Sequence, residues 1–171
     1  IHVALKDVKT TLTSDLLEHT LRITHDAMAR DFGLDLPRIA VSGVNPHAGE
    51  GGLMGHEEIT LILPIVKKLR AQGMNIVGPL PADTMFHTTA RTKYDVAVCM
   101  YHDQALIPIK TLNFSASVNV TLGLPFIRTS PDHGTAFDIA GQDLANPTSL
   151  IEALRHARDM AKARAVHDAK H

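Results

Sequence analysis

Three histidines, His2, His47 and His102, stand where an α/β chain places its chemistry, at strand-like stretches or immediately beyond them. Three neutral imidazoles around an open coordination position suit a catalytic divalent metal, zinc first among the candidates. Asp83 and Asp103 are carboxylates that could orient such imidazoles, contact a substrate or accept a proton. The competing reading is three histidines that do no more than close loops. Further along, Lys110, Asn119 and Arg128 fall in stretches that end near the same edge. A lysine and an arginine beside a metal suit a substrate that carries phosphate or carboxylate, although each taken singly reads as a surface charge.

These groups need elements to position them. Val96 to Met100 is a continuous apolar run, the pattern of a parallel strand buried on both faces. Ligands of open α/β sheets sit beyond the carboxyl ends of the strands, which is where His102 and Asp103 follow. Ile1, Val3 and Leu5 alternate with His2 and Ala4, predicting a strand with His2 on its polar side. From Thr13 to Phe32 the chain reads as a helix, with Asp15 and Glu18 in its first turn and Leu17, Leu21, Thr24 and Met28 at helical spacing.

Ile39 to Gly43 predicts a short strand, which runs into a glycine loop from Asn45 to Gly55. A helix from Glu57 to Gln72 follows, with Ile59, Ile62, Leu63, Val66 and Leu69 inward. Strand, glycine loop and helix form an anion-binding unit. Gly49, Gly51 and Gly55 are nevertheless spaced one residue too widely for the dinucleotide fingerprint. No Gly-Lys-Ser/Thr follows, and His56-Glu57-Glu58 does not continue to a zinc-protease motif.

Asn75 to Val77 reads as a third strand, Met85 to Arg91 as a short helix, Leu106 to Lys110 as the approach to a turn, and Ser117 to Leu122 as another strand. Ser130 to Pro147 is too long and too specific in composition for a linker. A terminal helix is predicted from Thr148 to Val166 with Leu150, Ile151, Leu154, Ala157, Met160 and Ala161 as its apolar face, and a frayed tail from His167.

The chain has 171 residues, 44% hydrophobic and 20% charged, enough for one domain with a real core. Its formal net charge of −1 gives no reason to expect nucleic acid or a membrane surface as partner. The single cysteine, Cys99, excludes an internal disulfide and points to a reducing cytoplasm. The chain opens on Ile1 in mid-pattern, without an initiator methionine, which leads us to expect a fragment.

Four blocks resemble one family. They are Asn45-Pro46-His47-Ala48-Gly49-Glu50-Gly51-Gly52, Gly78-Pro79-Leu80-Pro81-Ala82-Asp83-Thr84, Met100-Tyr101-His102-Asp103-Gln104, and Asn119 to Ser130. In order and density, from His2 to Asn146, they resemble the 4-hydroxythreonine-4-phosphate dehydrogenase family of vitamin B6 biosynthesis. Asp132 to Gly141, with Ala145-Asn146-Pro147, is also similar to the cofactor segment of isocitrate and isopropylmalate dehydrogenases.

The resemblance implies an α/β fold, an isocitrate/isopropylmalate dehydrogenase-like sheet flanked by helices, of which only the carboxyl-terminal half is present. Residues 1–128 would form the metal-binding and dimerisation part, and 129–171 the cofactor-side segment and terminal helix. Carried over, His2, His47 and His102 become metal ligands, and Lys110, Asn119 and Arg128 contacts to a small phosphorylated substrate. His133, Gly134, Thr135, Ala136, Asp138 and Asn146 would lie along NAD or NADP. The metal would be zinc, magnesium or cobalt, in a homodimer whose shared active site draws ligands from both chains.

The implied reaction oxidises 4-phosphooxy-L-threonine to 2-amino-3-oxo-4-phosphooxybutanoate, which decarboxylates to 3-amino-2-oxopropyl phosphate. The proton acceptor is left open among Asp83, Asp103 and water. A paralogue acting on 4-phosphothreonate or 4-phosphoerythronate is the alternative within the class. Outside it stand a non-catalytic metal-binding dimer module and a metallohydrolase with Asp103 as base, the latter disfavoured by the Asp132–Asn146 segment. Lacking the family's first half, the chain is expected to bind metal, at most to dimerise, and to show little or no turnover.

Overall fold

The structure, a computed structural model, describes residues 1–170. In chain order its helices are α1 (Val8–Thr11), α2 (Ser14–Arg30), α3 (Leu63–Ala71), α4 (Thr88–Arg91), α5 (His102–Leu112) and α6 (Thr148–Asp168). Its strands are β1 (Ile39–Ser42), β2 (Ile76–Leu80), β3 (Val96–Val98), β4 (Val118–Thr121) and β5 (Arg128–Pro131). The first three strands form a parallel sheet in the order β2-β1-β3, and the last two an antiparallel pair.

The strand buried along its whole length is β1, not the Val96 run. Ile39 pairs with Ile76 on one side and Val96 on the other, so β1 has a neighbour at each edge. Strand β3 has β1 alone, stops at Val98 and is only half covered at Val96 and Ala97. Around β1 the core gathers Leu17 and Leu21 of α2, Val66 and Leu69 of α3, Ile76, Val98 and Met100. These side chains remove apolar area from water, the dominant favourable contribution to folding.

Helix α2 starts where Thr13 caps it, its Oγ1 accepting from Leu16 N at 3.2 Å. Before α3 the chain makes a wide π turn over Glu58–Ile62. Pro64 supplies no N–H to a helical ladder, and a turn with an extra residue accommodates that loss. The turn also rotates the inner face: Ile59 is exposed, and Ile65, not singled out in the sequence, is buried.

Several expectations are corrected. Ile1–Leu5 forms no strand; Ile1 N donates to Met100 O at 2.9 Å, a contact rather than a ladder, and Leu5–Asp7 already turns toward α1. The stretch from Leu106 to Lys110 is not the approach to a turn but the middle of α5, which runs through Pro108. Helix α6 does not fray at His167, because Arg30 holds Asp168 in a two-pronged pair at 2.8 and 2.6 Å; His171 lies outside the described residues.

The inner face of α6 is also shifted. Leu150, Ile151 and Leu154 are exposed, while Ser149, Ala153 and Met160 are buried. Small residues let the helix approach the strand pair closely, and Thr129 Oγ1 reaches Ala153 O at 2.8 Å. Strand β5 covers residues 128–131, so it straddles the division expected after residue 128. Among the described residues no helix is long and apolar enough to cross a membrane.

Candidate functional site

Two of the three histidines meet. The rings of His2 and His102 stack with centroids 4.6 Å apart and planes 23° from parallel. His102 opens α5, and its Nδ1 lies 2.7 Å from Asp103 Oδ1. A carboxylate only accepts, so Nδ1 carries a proton, and in the neutral ring Nε2 then keeps the lone pair with which an imidazole ligates a metal. His47 is exposed on the loop after β1. Among the described residues no group of three His, Cys, Asp or Glu side chains within one chain could hold a metal. Imidazole nitrogens are donors of the type a divalent ion takes, and two of them, not three, come together in the single chain.

The two loops that carry His47 and His102 are joined by a buried amide. Gln104 Oε1 accepts from Ser42 Oγ at 2.8 Å and from Met100 N at 2.7 Å, and Nε2 donates to Gly43 O at 2.7 Å. The exits of β1 and β3 are thereby held at one separation. Sequence reading passed over Gln104 because a glutamine after a His-Asp pair carries no chemistry of its own. It likewise passed over Glu58, which is 2% exposed and accepts from Val44 N and Asn45 N at 2.8 and 2.7 Å. An acidic residue opening a helical turn next to a glycine loop is the signal that could have found it.

Asp83 is exposed on a short turn, Ala82–Thr84, that packs against the His47 loop. Cys99, the next residue but two before His102, is mostly buried, and burial pushes its thiol up to about 11. With no metal bound, that keeps it a protonated packing group at neutral pH.

Helix α5 carries a second group to the site two turns after His102. His102, Asp103, Leu106, Ile107, Lys110 and Thr111 line one open cleft of about 430 Å³. Lys110 Nζ donates to both the carboxylate and the backbone oxygen of Asp132 at 2.9 Å. On the strand pair, Asn119 lies opposite Ser130 and Thr121 opposite Arg128. Opposed residues share a face, and so do residues two apart, which puts Asn119 and Arg128 diagonally on one face. That face is turned away from α6, which packs on Thr129, and Arg128 Nη1 donates to Thr121 Oγ1 at 2.8 Å. The structure thus groups Asn119 with Arg128, and Lys110 with His102.

Past β5 the chain encloses a mostly apolar pocket of about 360 Å³ lined by Asp132, His133, Gly134, Ala136, Asn146 and Ser149 among others. Four of the six residues expected along a cofactor are therefore in its wall. Thr135 and Asp138 are exposed and outside that lining. Asp132 belongs to both neighbourhoods, since it walls the pocket and holds Lys110.

The family described as pyridoxal phosphate biosynthetic protein PdxA matches residues 1–157. A 4-hydroxythreonine-4-phosphate dehydrogenase of Roseobacter denitrificans is 65% identical over 161 residues, which are 94% of this chain and 49% of that protein. One from Bradyrhizobium diazoefficiens is 64% identical over 164 residues, 96% of this chain and 48% of that one. The crystal structure of 4-hydroxythreonine-4-phosphate dehydrogenase from Klebsiella pneumoniae superposes with a TM-score of 0.80 at 45% identity, over 92% of this chain and 50% of its own. The chain spans about half the length of the curated relatives it matches. With a match over nearly its whole length, and with the His47, His102 and Arg128 segments all inside it, this chain belongs to the PdxA family.

Proposed function

We propose that this chain supplies the metal- and phosphate-binding half of a metal-dependent, NAD(P)-linked 4-hydroxythreonine-4-phosphate dehydrogenase of pyridoxal phosphate biosynthesis, working in the cytoplasm. The observation that carries the reading is the placement of His102 and Lys110 in one cleft of α5, with His2 stacked on His102. His2, His47 and His102, drawn from both chains of a homodimer, would hold one zinc, magnesium or cobalt ion. When bound, such an ion would supply Lewis acidity toward the substrate's hydroxyl. NAD or NADP would supply the hydride acceptor for that oxidation.

The chain's own residues do the rest. Asp103 holds the His102 ring in one tautomer through Nδ1. Lys110, released from Asp132, meets the substrate phosphate as a point charge, and Arg128 offers a planar fork beside Asn119. Fixing both anionic ends orients the hydroxyl-bearing carbon and reduces the entropy lost on reaching the transition state. Asp83, Asp103 or water would accept the hydroxyl proton. His133, Gly134, Ala136 and Asn146 line the pocket for the dinucleotide's adenosine side.

Metal analysis and an NAD(P)H-formation assay with 4-phosphooxy-L-threonine test the proposal. The wild-type chain is expected to bind a divalent ion, to perturb NADH fluorescence, and by itself to turn over slowly or not at all. His102→Ala should lose the ion and keep its circular dichroism. Unaltered metal content in that variant overturns the reading, and an unchanged NADH signal favours a metallohydrolase.

A further inference from the structure

The loop that carries His47 is held in a conformation that side chains avoid. His47, Ala48 and Glu50 have φ of 53°, 51° and 43°, in series with Gly49 at 79° and Gly51 at 66°. Residues with a Cβ are disfavoured there, and a run of them persists only where the surroundings over-determine it. Met54 N donates to Gly49 O at 3.1 Å within the loop, and its entry is held by one buried carboxylate. Glu58 Oε1 accepts from the backbone of Val44 and Asn45, and Oε2 accepts from Asn45 Nδ2 at 2.9 Å. The same amide is shared with Glu57 Oε2 at 2.7 Å, so Asn45 is fixed from two sides. The carboxylate sits in a cradle of two glycines: a Cβ at Gly49 would lie 2.6 Å from Oε2, and one at Gly43 would lie 3.0 Å from Oε1. Asn45 precedes Pro46 and His47 directly, so these bonds set the direction in which the chain enters the histidine.

We propose that Glu58 is the positioning residue of His47, anchoring the left-handed loop so that the imidazole is presented in one orientation to a divalent cation. This deepens the metal reading above and rests on it. A brace that served stability alone would not need to bond the two residues that lead into the ligand while two glycines make room for it.

Cobalt(II) titration of the full chain, followed by visible absorption with a thermal melt of each protein, separates the possibilities. Wild type is expected to bind saturably. Glu58→Gln keeps the shape but sets an amide against the Asn45 donors, and is expected to bind cobalt about tenfold more weakly with an altered visible band. Asn45→Ser, which removes only the amide bonds, should move affinity and band the same way by a smaller factor, and it decides the matter should Glu58→Gln fail to fold. Wild-type affinity and band in folded Glu58→Gln and Asn45→Ser, whatever their melting temperatures, overturn the positioning role. Absence of saturable cobalt binding in the wild type, or equal binding by His102→Ala, instead removes the metal reading and this role with it.

Discussion

Replacing Gln104 with leucine tests how tightly the two histidine-bearing loops are coupled to the core. The side chain is 9% exposed and makes three hydrogen bonds, to Ser42 Oγ, Met100 N and Gly43 O, between 2.7 and 2.8 Å. Leucine is close in volume, so little cavity forms, and the loss comes from stranded partners. The Ser42 hydroxyl has a second partner in the Cys99 sulfur and can turn toward it. Met100 N–H and Gly43 C=O have no such freedom, and each buried unsatisfied group costs about 1–3 kcal/mol. Because the two losses share one site, the expected destabilisation is about 3 kcal/mol, a large part of the roughly 5–15 kcal/mol of a typical domain. Urea unfolding should show a lower midpoint at unchanged slope. The melting temperature should fall by about 6–12 °C, at roughly 2–4 °C per kcal/mol for a chain of this size. A loss below about 1 kcal/mol would refute the reasoning, since it would mean that water or backbone relaxation satisfies both groups.

Asp31, which caps the end of α2, and Arg164 of α6 form a two-pronged pair, with side chains 6% and 14% exposed. Asp31→Ala leaves a largely buried guanidinium whose remaining bond is to Pro125 O, and should cost about 2–4 kcal/mol in chemical unfolding, whereas Asp31→Leu with Arg164→Met should recover most of it. Glu57 is held down to about 2, chiefly by its hydrogen bond with Lys9 and then by Asn45, from an ordinary value of 4.5. A depressed carboxyl stabilises the fold fully above its unfolded pKa and loses that contribution as pH falls from about 4.5 toward about 2. Lys9→Met should therefore flatten the acid limb of the melting profile in that window; an unchanged limb would rule the pair out as its source.

Much of the fold and of the candidate site is legible in the order of residues, because local patterns carry it. Thr13 and the apolar spacing through Met28 define α2, the Ile39–Gly43 run defines β1, and His2, His47, His102, Lys110 and Arg128 stand out by residue type. What one dimension does not contain is who neighbours whom. The Val96 run and β1 look alike in sequence, yet only β1 has a strand on each side and is buried throughout. Leu106 to Lys110 reads as the approach to a turn, but α5 continues through it and so brings Lys110 into the cleft of His102. On α6 Met160 packs inward as its spacing predicts, but Leu150, Ile151 and Leu154 advertise a face that packing does not use, because close approach to β5 selects Ser149 and Ala153 instead. Gln104 does not stand out in the sequence for the same reason, and Glu58 leaves only a faint local signal. A buried polar side chain matters through the donors and acceptors that surround it, and those come from residues up to 62 positions away that only tertiary structure assembles.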